Sequence, residues 1–140
     1  MANLILVGVD GSDTSMAAGR RAAELAVSLK SKLYVLTAFH SSETETFQDG
    51  TDTITVSPAD SAEAISNRAA DELRTIAPDV EAGILYEKAG DALLEEAKRL
   101  DASLIVVGNR NMQGIKRVLG SVANTVSHNA PCDVYIVKTV

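Results

Sequence analysis

Cysteine is almost missing from this 140-residue chain: Cys132 stands alone, so no intrachain disulfide can form. A lone thiol suits a reducing compartment. At the entry to an apolar segment it reads as a small core residue rather than a nucleophile. Histidine is nearly as scarce, with His40 and His128 only, and no spacing of histidine and cysteine makes a metal set. Basic charge is short as well: 13 Lys and Arg stand against 19 Asp and Glu, for a formal net charge of -6. A nucleic-acid binder would carry a basic face, and the one local basic group is Arg110, Lys116 and Arg117. No apolar run approaches the roughly 20 residues needed to span a bilayer. The start of the chain has no basic leader ahead of its apolar Leu4–Val9 run, so a signal segment is not expected and the expected location is cytoplasmic.

What is present is globular in composition, with 46% hydrophobic and 23% charged residues. The length fits one domain over residues 1–140. Leu4–Val9, Leu33–Phe39, Leu104–Val107 and Val134–Val137 are continuous apolar runs rich in β-branched residues, the pattern of strands buried on both faces. Val80–Tyr86 is a weaker fifth.

Helical spacing separates them. Ala18, Ala22, Leu25, Ala26 and Leu29 form one stripe, with Ser12 or Asp13 as its N-cap. Ser57-Pro58-Ala59-Asp60 opens a second, with Ala62, Ile65, Ala69, Leu73 and Ile76 on its apolar face. Asp91 is expected to start a third through Leu93, Leu94, Ala97 and Leu100. Ser121 is expected to open a fourth through Val122, Val126 and Ala130, ended by Pro131. The polar, acidic stretch from His40 to Ser57, with Glu43, Glu45, Asp49 and Asp52, reads as a mobile insertion. Its carboxylates lack calcium-loop spacing.

Strands alternating with helices imply right-handed crossovers and a parallel sheet covered on both faces, an α/β, Rossmann-like fold. Five strands predict the order 3-2-1-4-5. Ligands of such sheets bind beyond the carboxyl ends of the strands, where the order reverses. Here that crevice lies between the first and fourth strands, which run out at Asp10 and Gly108.

The segment from Gly108 to Ser121 enters from a strand and leaves into a helix. Its glycines Gly108, Gly114 and Gly120 would let backbone approach an anion, and the amides opening the helix would face it. Ser121 would add a hydroxyl while capping the helix. The same glycines also fit plain turns in a surface loop, and the residues alone leave both readings open. Neither G-x-x-x-x-G-K-[ST] nor a G-x-G-x-x-G after a strand occurs, so P-loop and dinucleotide readings fail.

Four segments together resemble the universal stress protein family (the UspA domain), in its nucleotide-binding subgroup: V-G-V-D-G-S at 7–12, V-V-G-N-R-N at 106–111, L-G-S-V at 119–122 and S-H-N-A-P-C-D-V-Y-I-V at 127–137. The resemblance implies an adenine nucleotide α-hydrolase-like fold. It also implies binding of ATP, or of AMP or cAMP, with Mg possible, and a homodimer through the last strand, 133–140. By that resemblance Gly8, Val9 and Asp10 stand at the adenosine end, Asp10 reaching a magnesium only through the nucleotide. Ala38 matches the second-strand position that meets the adenine. Gly108 matches the motif's first glycine, and Gly120, Ser121 and Val122 its last glycine, hydroxyl and following amide. Asn111 stands where the family motif has its second glycine, and eight residues separate it from Gly120 where the motif has nine. Asn tolerates a left-handed backbone best among non-glycine residues. These departures bear on ATP more than on nucleotides in general. No positioned nucleophile stands out, so at most slow ATP hydrolysis is expected. The rival expectation is a dimeric interaction module of the same fold that binds no nucleotide.

Overall fold

Each of the five apolar runs forms a strand of one parallel sheet. They are β1 (Leu4–Gly8), β2 (Lys32–Phe39), β5 (Val80–Tyr86), β6 (Leu104–Asn109) and β7 (Asp133–Lys138). Hydrogen-bonded neighbours follow the order β5-β2-β1-β6-β7. Counted along the chain within this sheet, that is 3-2-1-4-5, as expected. The structure, a computed structural model, describes residues 3–40, 45–49, 52–109 and 119–139, with backbone alone for 45–49 and 52–56.

Alternate side chains of each strand point to opposite faces, and each face is covered by a pair of helices. On one, Ile5, Val7, Leu33, Val35 and Val106 pack with the alanines of α1 (Asp13–Leu29) and with Ala69, Ala70 and Leu73 of α2 (Pro58–Leu73). On the other, Leu6, Leu36, Ile105 and Val107 meet α3 (Ala89–Leu100) and α4 (Ser121–Asn129) through Leu93, Ala97 and Val126. Alanine on the inner helix faces lets the helices sit close. Ser66, buried in α2, donates its hydroxyl to the carbonyls of Val35 and Gly83 at 3.2 and 3.0 Å, tying that helix to two strands.

Four expectations need correction. Part of the His40–Ser57 stretch is not loop: β3 (Glu45–Asp49) and β4 (Asp52–Val56) pair antiparallel. Thr53-Ile-Thr-Val56 is β-branched throughout, the composition that strands favour. The third helix begins at Ala89, not Asp91, because Lys88 is its N-cap without a side-chain capping bond; Asp91 sits in the first turn. Leu29 and Ile76 are 53% and 37% exposed. Leu29 is the last residue of α1, and Ile76 falls beyond the end of α2 at Leu73. The fourth helix is capped by Gly120, and Ser121 is its first helical residue.

Candidate functional site

The turn leaving β1 is built by its own hydrogen bonds. Val9 donates its N–H to Leu36 O at 2.9 Å, which holds the chain against β2. Gly11 then takes φ +87, a left-handed conformation that side chains rarely adopt. The chain turns back so that Ser12 N–H donates to Asp10 Oδ1 at 2.9 Å. Ser12 Oγ caps α1 by accepting the N–H of Ser15, and Ser15 Oγ accepts the N–H of Asp10, both at 3.1 Å. Burial pushes the Asp10 carboxyl up, but hydrogen bonds from Ser12 and Ser15 outweigh it and hold it below the usual aspartate value. Asp10 is therefore a fixed negative charge at neutral pH.

Beside this turn lies a cleft of about 340 Å³, where the carboxyl ends of β1, β2 and β6 meet the starts of α1, α3 and α4. Leu36, Leu93 and Val107 contribute apolar wall. The expected residues Gly8, Val9, Asp10 and Ala38 line it from one side. Gly108, Gly120, Ser121 and Val122 line it from the other. Asn111 and Gly114, with Arg110, Lys116 and Arg117, lie outside the described residues.

Two of these glycines serve packing. A Cβ on Gly8 would stand 3.3 Å from Leu93 Cδ1, and one on Gly108 3.3 Å from Ala18 Cβ and 3.4 Å from the Thr14 carbonyl. Gly8 thus lets α3 settle on the sheet, and Gly108 does the same for α1.

The start of α4 is different. Its first intrahelical bond runs from Asn124 N–H to Gly120 O at 2.9 Å, and its N-cap residue, Gly120, makes no side-chain capping bond. The N–H groups of Ser121, Val122 and Ala123 thus have no carbonyl within the helix to accept them, and all three residues line the cleft. Together with the positive end of the helix dipole they form a surface complementary to an anion.

Asn109 stands in the site although it was not among the expected residues. It is 3% exposed, lines the cleft, and accepts the N–H of Gly120 on Oδ1 at 3.0 Å. Its signal was available: it continues the inward alternation of Ile105 and Val107 at the end of β6, so a polar residue there had to face the cleft. Thr14 and Ser15 of α1 and Ala89 of α3 also line the cleft and were not anticipated. Burial, with Asp133 nearby, pushes the Cys132 thiol up, in keeping with an apolar rather than nucleophilic residue. Among the described residues no three or more His, Cys, Asp or Glu come together as a metal site. Among them, too, no helix is long and apolar enough to cross a membrane.

The model of the universal stress protein family matches residues 1–138. The chain belongs to the universal stress protein family. It is 32% identical over 135 residues to universal stress protein A homolog 1 of Coxiella burnetii, covering 95% of this chain and 94% of that one. Over 46 residues it is 46% identical to universal stress protein A homolog 2 of the same organism, a match spanning 33% of this chain and 32% of that one. A universal stress protein solved in complex with cAMP is 31% identical, with a TM-score of 0.76 over 99% of this chain and 98% of that one. The universal stress protein fold is therefore the frame in which the cleft sits.

Proposed function

We propose that this universal stress protein binds an adenine nucleotide in the cleft and acts as a regulatory module of the stress response. The observation that carries the reading is the start of α4 at Gly120, Ser121 and Val122, where the N-cap glycine supplies no side-chain bond, opening onto a cleft that is apolar around Leu36, Ala38 and Val107. A nucleotide needs both halves: an apolar slot for the base and donors for the phosphate. The 31% identical relative solved with cAMP adds support.

AMP and cAMP, with one phosphate each, fit this division most simply, and ATP is the larger alternative. Asp10 is the one carboxylate among the described residues that line the cleft, and it is held ionised. One carboxylate plus phosphate oxygens is a donor set that suits Mg, which keeps several of its waters. Asp10 would therefore meet a magnesium carried on ATP. In this reading residues 1–140 act as one cytoplasmic domain that pairs with a second copy through β7, and bound nucleotide biases that pair or a partner surface. Catalysis beyond slow ATP hydrolysis is not part of it.

Mass spectrometry of freshly purified, denatured protein tests the proposal by identifying a co-purified nucleotide. ATP, AMP or cAMP would each select a branch. Protein that carries none, and that shows no heat of binding with any of the three, would leave the interaction module without nucleotide as the reading.

A further inference from the structure

The geometry points to Asn109 as the residue that makes this cleft select a phosphorylated nucleoside over a free one, by positioning the amides that open α4; the inference rests on the nucleotide reading above. Asn109 ends β6 and is 3% exposed. Its Oδ1 accepts the Gly120 N–H at 3.0 Å across a separation of eleven residues. The bond has two effects. It occupies the amide of the N-cap residue, the first donor of the series, so the donors left for an anion are those of Ser121, Val122 and Ala123. It also pins the start of α4 to the end of β6, a strand paired on both sides within the sheet, so those donors need no reorganisation when an anion arrives. A base or ribose lying against Leu36 and Ala38 does not use those amides, so Asn109 should act on the phosphate contribution alone.

The test compares AMP with adenosine by calorimetry on the full chain and two variants. Asn109→Ala should lower the preference for AMP over adenosine about tenfold, the loss expected when a charge-assisted hydrogen bond is misaligned. Hydrogen exchange of the Gly120 amide should be faster than in the wild type. Asn109→Asp keeps an acceptor for Gly120, so exchange there stays slow, but its charge repels phosphate and the AMP preference falls again. That variant keeps the size of the side chain and guards against a folding failure of the alanine variant. An unchanged AMP-to-adenosine ratio in either folded variant overturns the inference, as does unchanged Gly120 exchange in Asn109→Ala. Wild-type protein that binds neither compound overturns the nucleotide reading itself, a failure visible before any variant is made.

Discussion

The Tyr34 hydroxyl occupies the space that a Cβ on Gly83 would need. The two lie on neighbouring strands, Tyr34 on β2 opposite Glu81 and Gly83 on β5 opposite Leu36. The ring of Tyr34 thus crosses β5 at the one residue that has no side chain, and burial raises its phenol above the ordinary value.

Gly83→Ala should therefore destabilise the protein by about 1–3 kcal/mol, the usual cost of overpacking a filled site. Urea unfolding would read it as a lower midpoint at unchanged slope. Stability equal to wild type would mean that Tyr34 swings aside freely, against the close packing found.

The same tyrosine meets a buried carboxylate. Glu96 of α3 has a side chain only 6% exposed and accepts Arg99 Nε and Nη2 at 2.6 and 2.8 Å. Arg99's hydrogen bonds hold the Glu96 carboxyl below the usual glutamate value, against burial, with Tyr34 adding to the effect. A lowered folded pKa means the stabilisation is present above the ordinary glutamate value of about 4.3 and is lost as pH falls through the folded value. Arg99→Ala should cost about 1–2 kcal/mol at pH 7, kept modest because the guanidinium itself is solvated. The gap between wild type and variant should close as pH falls through the lowered folded value of Glu96, once its carboxyl is protonated. Urea midpoints taken from pH 7 to pH 3 would show it; a gap independent of pH would mean that Arg99 acts by packing alone.

Gly120→Val addresses the nucleotide proposal directly. Gly120 has φ -66 and ψ 166, extended backbone that a β-branched residue adopts without strain, so the fold should persist. Its new methyl groups would stand over the Ser121 and Val122 amides, and AMP affinity should fall at least about tenfold, the worth of one charge-assisted bond. Unchanged calorimetric affinity in the folded variant would put the phosphate elsewhere.

The parts of this molecule that could be read in its residues are those where one property repeats. Leu4–Gly8 and Leu104–Asn109 are buried on both faces, so they are apolar without interruption, and the sheet order followed from their alternation with helices. Features that depend on a single contact were not legible. Lys88 caps α3 with no side-chain bond, so nothing in its chemistry marked the start, and Asp91 drew the boundary two residues late. Ser121 looked like the cap because serine usually is, whereas the chain places Gly120 there through a bond to Asn109 eleven residues back. That bond joins residues far apart in the chain, and no local pattern encodes it. Glycine told half of its story: Gly8 and Gly108 line the cleft as expected, yet what a side chain there would strike is Leu93 and Ala18.

Strand β7 lies at the edge of the sheet, paired on one side with β6. Its four central residues, Val134-Tyr-Ile-Val137, are uncharged and only partly buried, while its ends carry Asp133 and Lys138. The opposite edge, β5, is interrupted by Glu81 and Gly83. An apolar edge without internal charge invites pairing with a second copy. If two copies pair antiparallel about the centre of the strand, Asp133 of one faces Lys138 of the other. Light scattering should therefore find a dimer at micromolar concentration. Lys138→Glu should shift it towards monomer by setting like charges together, and adding Asp133→Lys should restore the dimer. A wild-type monomer would dispose of pairing at this edge. A Lys138→Glu protein that remains fully dimeric would dispose of the antiparallel register, since only that register brings the two ends of the strand into contact.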